Sequence, residues 1–87
     1  MIQNMQHASV IDVRTPGEFE MEHYPNAINI PLDQVLQRLE ELKQLPKSIV
    51  AYCKSGNRSA MAVNILQQHG VTEVMNGGGL QDLQQAG

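Results

Sequence analysis

The chain holds one cysteine, no tryptophan, and only two tyrosines and one phenylalanine. A single cysteine excludes an intramolecular disulfide, a two-thiol redox motif and a multi-cysteine zinc site. It fits a reducing compartment. The shortage of aromatics leaves no platform for stacking bases, and six basic against nine acidic residues, a formal charge of −3, leave no basic stripe. Nucleic acid is therefore not an expected partner. The longest apolar run, residues 49–53, is far too short to cross a bilayer, so no membrane association is expected. The first nine residues show neither a basic n-region nor an apolar h-region. A cytoplasmic location is the expectation, with a periplasmic one as the alternative if a signal peptide has been removed. His7, His23 and His69 have no ligand spacing, and neither a metal nor a cofactor is expected.

What the chain does have is the material for one domain, residues 1–87, expected as a monomer. Its 87 residues, 41% hydrophobic and 17% charged, are ordinary for a globular protein. A chain of this size buries roughly 60–65% of its unfolded surface. Short apolar runs alternate with amphipathic stretches, the pattern of βαβ units and a parallel sheet. A first strand is expected at residues 10–13. Thr15-Pro16-Gly17-Glu18 then reads as a helix start, with Thr15 as N-cap, Pro16 in the first helical position and Glu18 closing a capping box. That helix should end near Glu22, before a turn at residues 23–26. A second strand is expected at residues 27–30. Leu32, Val35, Leu36, Leu39 and Leu42 recur at three- and four-residue steps and predict one helix with a core-facing stripe. Residues 48–52 suit a strand buried on both faces. A helix over residues 59–69 should stop at Gly70, followed by a strand at residues 73–75 and a short helix from Leu80.

Cys53-Lys54-Ser55-Gly56-Asn57-Arg58-Ser59 lies between the buried strand and that helix. A lone cysteine is most often an inert core residue. A cysteine meant for packing, however, would not lead into a polar, glycine-containing loop that ends in arginine. The carboxyl end of a parallel strand is where open α/β sheets hold ligands. Small, turn-tolerant residues let successive N–H groups point inward as a nest, and the helix start behind them favours negative charge. A cysteine placed there should ionise easily, because free thiols titrate near ~8.5 and those at helix N-termini fall to roughly 3.5–7.5. Lys54 and Arg58 add positive charge at the rim, attractive to a small dianion.

These seven residues resemble the active-site loop of rhodanese-like domains, Cys-x-x-Gly-x-Arg-Ser. Asp12-Val13-Arg14 is similar to the family's first conserved strand. Residues 23–31 match its His, Ala, Ile and Pro positions, and Gly77-Gly78 corresponds to a Gly-Gly near its C-terminus. Glu22 and Asn26 stand where the family usually has glycine, and the tryptophan that often follows the terminal glycines is missing. The resemblance spans nearly the whole chain and is strongest to short bacterial single-domain thiosulfate sulfurtransferases of the phage-shock type. It implies a small three-layer α/β fold with a parallel sheet of about four to five strands flanked by helices.

The resemblance also implies double displacement. Cys53 would take sulfane sulfur from thiosulfate or a persulfide donor and pass it to cyanide, a thiol or an acceptor protein. The backbone of Lys54, Ser55, Gly56, Asn57, Arg58 and Ser59 would bind the anionic sulfur. Arg58 would either orient the donor or close the loop on backbone carbonyls. Asp12, Arg14 and His23 are read as structural, with Arg14 pairing either Glu18 or the carbonyls of a helix end. Two alternatives stay open: a persulfide carrier or docking module without turnover, and a cysteine phosphatase of the same fold. The phosphatase loop is one residue longer than the four residues between Cys53 and Arg58.

Overall fold

The computed structural model describes residues 8–86. His7 lies outside them. The chain runs β1 (Ser9–Asp12), α1 (Pro16–Met21), β2 (Ile28–Asn29), a 3-10 turn (Leu32–Gln34), α2 (Leu39–Lys43), β3 (Ile49–Cys53), α3 (Asn57–Gln68), β4 (Val74–Gly79) and α4 (Leu80–Ala86). The four strands form one parallel sheet in the order β2-β1-β3-β4.

The period-two alternation of β3 divides the core between the two faces of this sheet. Ile49, Ala51 and Cys53 join Ile11 and Val13 against Leu42 of α2 and Ala62 and Leu66 of α3. Val50 and Tyr52 join Val10 against Leu80 and Leu83 of α4. Helices therefore cover both faces, giving three layers, and β3 is buried along its whole length as its continuous apolar run requires.

Local signals in the sequence account for several boundaries. The Thr15 hydroxyl accepts from the Glu18 amide at 3.2 Å, and the Glu18 carboxylate accepts from the Thr15 amide at 3.0 Å. This is the capping box expected at α1. At the far end of α3, the Val71 amide donates to the Leu66 carbonyl at 2.9 Å and the Gly70 amide to that of Gln67 at 3.2 Å. Gly70, at φ 95, closes this Schellman turn.

Two expected elements differ. The stripe from Leu32 to Leu42 is not one helix but a 3-10 turn and the five-residue α2. Arg38 breaks it at φ −111, ψ 25, held by its guanidinium on Glu41 and on the Asn29 carbonyl of β2. Val35 and Leu42 stay buried while Leu36 turns outward. The last strand runs on through the glycines to Gly79, with a register shift opposite Ala51 and Tyr52. Glycine usually weakens a strand, but here it marks a bulge and close backbone approach. The departures at Glu22 and Asn26 also have local explanations. Glu22 is extended at φ −171, open to any residue. Asn26 holds φ 69, a left-handed conformation that asparagine tolerates.

Candidate active site

β3 carries Cys53 to the carboxyl edge of the sheet, in register with Gly79 of β4. The chain then turns through Lys54 and Ser55 to Gly56, whose φ of 99 lets α3 start at Asn57. The helix thus begins two residues before the expected Ser59, and Arg58 and Ser59 lie in its first turn rather than in the loop. No side chain caps it, so its first amides are available to the loop interior. The Gly56 amide donates to Cys53 Sγ at 3.0 Å, and the Ser59 hydroxyl oxygen lies 3.5 Å from the same sulfur. Burial pushes the fully buried Cys53 thiol up. Hydrogen bonding to the ionised sulfur, from the Ser59 hydroxyl and from the amides of Ser59, Gly56 and Ser55, outweighs that and leaves it below its ordinary value. Chemically, the cradle is suited to negative charge on sulfur.

Of the six residues after Cys53, Lys54, Ser55 and Asn57 are exposed, Gly56 and Arg58 are half-buried, and Ser59 is buried. Arg58 does not close the loop on backbone carbonyls. Its guanidinium makes a two-pronged pair with Glu18 of α1, at 2.8 and 3.1 Å. Glu18 therefore serves both the cap of its own helix and the arginine beside the cysteine. Its bond to Arg58, helped by the Thr15 amide, lowers its pKa from 4.5 to about 2. A carboxylate depressed in this way stabilises the fold above pH 4.5 and loses that contribution as pH falls toward about 2. Glu18→Gln, which keeps a capping side chain, should cost about 1 kcal/mol or less at pH 7 because both partners are partly solvated. The gap to wild type should close between pH 4.5 and about 2, as read by urea melts across that window.

Asn76 of β4 braces the loop from the side. Its Oδ1 accepts from the Ser59 hydroxyl at 2.6 Å and the Gly78 amide at 2.9 Å, while its Nδ2 donates to the Gly56 carbonyl at 3.0 Å. Gly79 makes the closest approach, since a side-chain methyl there would collide with the Lys54 carbonyl. Asp82 of α4 accepts the Gly79 amide at 2.8 Å. Gly79→Ala must therefore shift backbone against backbone, and a loss of roughly 1–3 kcal/mol is expected in chemical denaturation. Because the displaced carbonyl immediately follows Cys53, thiol reactivity should change with it. Glu18 and Asn76 were not among the residues expected at the site. Glu18 had a sequence signal, the capping box, but that signal carried no indication of Arg58.

Asp12, Arg14 and Tyr52 form a separate buried cluster. Asp12 and Tyr52 are in register on neighbouring strands. The Asp12 carboxylate accepts from the Arg14 amide (2.9 Å), Nε (3.0 Å) and Nη2 (2.7 Å) and from the Tyr52 hydroxyl (2.8 Å). Arg14 also donates to the Glu22 carbonyl at 2.6 Å, at the end of α1. Its charge partner is thus Asp12, not Glu18. Burial pushes the Tyr52 phenol up, so it remains a donor. His23 donates from Nδ1 to the Phe19 carbonyl at 2.8 Å and stacks on the Phe19 ring, which holds the turn after α1. None of these side chains bonds to Cys53.

A three-layer parallel α/β fold with a cysteine in an amide-lined loop between β3 and α3 defines the class, and the chain belongs to the rhodanese-like domain family, which matches residues 1–86. This is a family of sulfurtransferases. Over 74 residues the chain is 40% identical to the thiosulfate sulfurtransferase PspE of Escherichia coli K12, covering 84% of this chain and 71% of that protein. It is 44% identical over 69 residues to YqhL of Bacillus subtilis, covering 79% of this chain and 54% of that protein. Among solved structures it is similar to an E. coli rhodanese with anions, with a TM-score of 0.78 and 39% identity, covering 86% of this chain and 89% of that one. Among the described residues, no helix is long and apolar enough to cross a membrane.

Proposed function

We propose that this protein is a thiosulfate sulfurtransferase working through a persulfide on Cys53. The observation that carries the proposal is the Gly56 amide, 3.0 Å from a buried sulfur at the end of β3. The Cys53 thiolate attacks the outer sulfur of thiosulfate, and a new S–S bond forms. The bond between that sulfur and the sulfite sulfur breaks, and sulfite leaves with the electron pair. The charge now sits on the outer persulfide sulfur, at the mouth of the amide-lined loop. Cyanide or a thiol then attacks this outer sulfur, departs as thiocyanate or a persulfide, and regenerates the thiolate. No separate general base is needed once the thiol has ionised.

Lys54, Ser55, Gly56, Asn57, Arg58 and Ser59 contribute differently to this reaction. Amides from the loop and first helical turn hold the anionic sulfur. Lys54 is exposed at the rim, where it attracts the dianion. Arg58, with its charge shared by Glu18, orients donor oxygens without leaving an unpaired cation beside the sulfur. The similarity to a thiosulfate sulfurtransferase supports the choice of donor. The short Cys53–Arg58 spacing supports sulfur over a tetrahedral phosphoryl group.

The test is thiocyanate formation from thiosulfate and cyanide, run beside hydrolysis of p-nitrophenyl phosphate. Turnover of the first without the second is expected. Phosphate hydrolysis alone would reverse the reading. Persulfide formation that cyanide cannot discharge would point instead to a carrier that unloads onto a cognate protein.

A further inference from the structure

The hydrogen bonds around Asn76 fix where the proton of Ser59 resides. Oδ1 of Asn76 faces the Gly78 amide at 2.9 Å and Nδ2 faces the Gly56 carbonyl at 3.0 Å. Turning the amide over would set donor against donor and acceptor against acceptor, so the backbone determines which atom is which. The atom 2.6 Å from Ser59 Oγ is therefore a carbonyl oxygen, which only accepts. A serine hydroxyl has one proton, and in this arrangement it lies in the bond to Asn76. Toward Cys53 Sγ, 3.5 Å away, Ser59 can then offer only lone pairs. That suits a neutral thiol, whose S–H donates to Oγ. It does not suit a thiolate or a persulfide anion, which needs donors.

We infer that Asn76 is a positioning residue that competes with the Cys53 sulfur for the hydroxyl proton of Ser59, and that the hydroxyl turns from Asn76 to the sulfur when the sulfur becomes anionic. The inference rests on reading Cys53 as the nucleophile. The proton of Cys53 leaves to solvent, while that of Ser59 stays on its oxygen and changes acceptor. Neither state leaves a buried acceptor unpaired, because Asn76 Oδ1 keeps the Gly78 amide after Ser59 turns away. Asn76 thus limits how much the hydroxyl stabilises the anion while its other two bonds hold the loop in shape. The charged groups around the site are Lys54 in the loop, Arg58 of α3 with Glu18 of α1, and Asp82 of α4 behind Gly79. Beyond Arg58 and Glu18 lie Arg14, which acts on both electrostatically, and its partner Asp12. All are unchanged in the variants below.

The experiment is the pH dependence of Cys53 alkylation by iodoacetamide in wild type, Asn76→Ala, Ser59→Ala and the double variant. Freeing the hydroxyl in Asn76→Ala should lower the midpoint by about half a pH unit to one unit, the worth of one modest hydrogen bond. In the Ser59→Ala background the same change should leave the midpoint in place. An equal shift in both backgrounds means that Asn76 only shapes the loop, and it overturns the proposal. Ser59→Ala alone gives a test of sign that does not need Asn76→Ala to fold. If the hydroxyl turns to the anion, its loss raises the midpoint. If the hydroxyl stays on Asn76, its lone pairs oppose the anion and its loss lowers the midpoint, or leaves it unchanged, contradicting the proposal. Alkylation reports the thiolate and not sulfur transfer. A protein with these shifts that forms no persulfide would retain the Ser59–Asn76 switch and lose the proposed function.

Discussion

Cys53→Ser is expected to fold like wild type and to lose sulfur transfer by a factor on the order of 10⁴–10⁶, the scale of removing a covalent nucleophile. The side chain is fully buried at the end of β3, and serine fills nearly the same volume. Its hydroxyl can also accept from the Gly56 amide, which now donates to sulfur. The fold should therefore hardly notice the change. The chemistry should. A serine hydroxyl is far harder to ionise than a thiol, and its oxygen cannot carry a transferable sulfur as a persulfide does. Thiocyanate assays with a thermal melt of the same sample separate the two effects. Residual activity within about tenfold of wild type would place the sulfur-accepting group elsewhere, although Cys53 is the chain's one cysteine.

Asp12→Ala should do the opposite, damaging the fold while sparing the chemistry of whatever remains folded. The Asp12 carboxylate is fully buried and receives the Arg14 guanidinium, the Arg14 amide and the Tyr52 hydroxyl. Removing it strands a guanidinium whose side chain is only 8% exposed. Breaking one partner from such a pair costs about 3–5 kcal/mol. Against the total of roughly 5–15 kcal/mol that holds a domain together, that is a large share. Tyr52→Phe should cost less, about 1–2 kcal/mol, because Arg14 still satisfies Asp12 while the Tyr24 amide loses its acceptor. Urea unfolding of both variants measures the order. An Asp12→Ala loss below about 1 kcal/mol would show that water reaches the cluster and solvates Arg14.

The parts of the fold legible in the sequence were those encoded by neighbours along the chain. The Thr15–Glu18 capping box, the Gly70 stop and the unbroken apolar run into Cys53 are all local, and each stands within a residue or two of its expected place. The loop between a buried parallel strand and a helix could be placed for the same reason. What could not be read was pairing at a distance. Glu18 and Arg58 are 40 positions apart, and Ser59 and Asn76 are 17 apart. Neither pair leaves a periodic trace, because a charged or polar residue looks alike in the sequence whether or not it has a partner. The leucine stripe failed differently. Its period matched a continuous helix, but the bond from Arg38 to the Asn29 carbonyl of β2, beside a local pair with Glu41, overrode it. The glycines after Met75 read as a loop because propensity disfavours them in strands. Their role in β4 depends on the Lys54 carbonyl and Val50, which approach from across the sheet.

The most direct test of the persulfide is the intact mass of the protein after incubation with thiosulfate and removal of excess donor. Wild type should gain the mass of one sulfur atom, Cys53→Ser should gain none, and cyanide should return wild type to its starting mass with release of thiocyanate. A wild-type protein that stays at its original mass with thiosulfate and with persulfide donors alike would contradict the account.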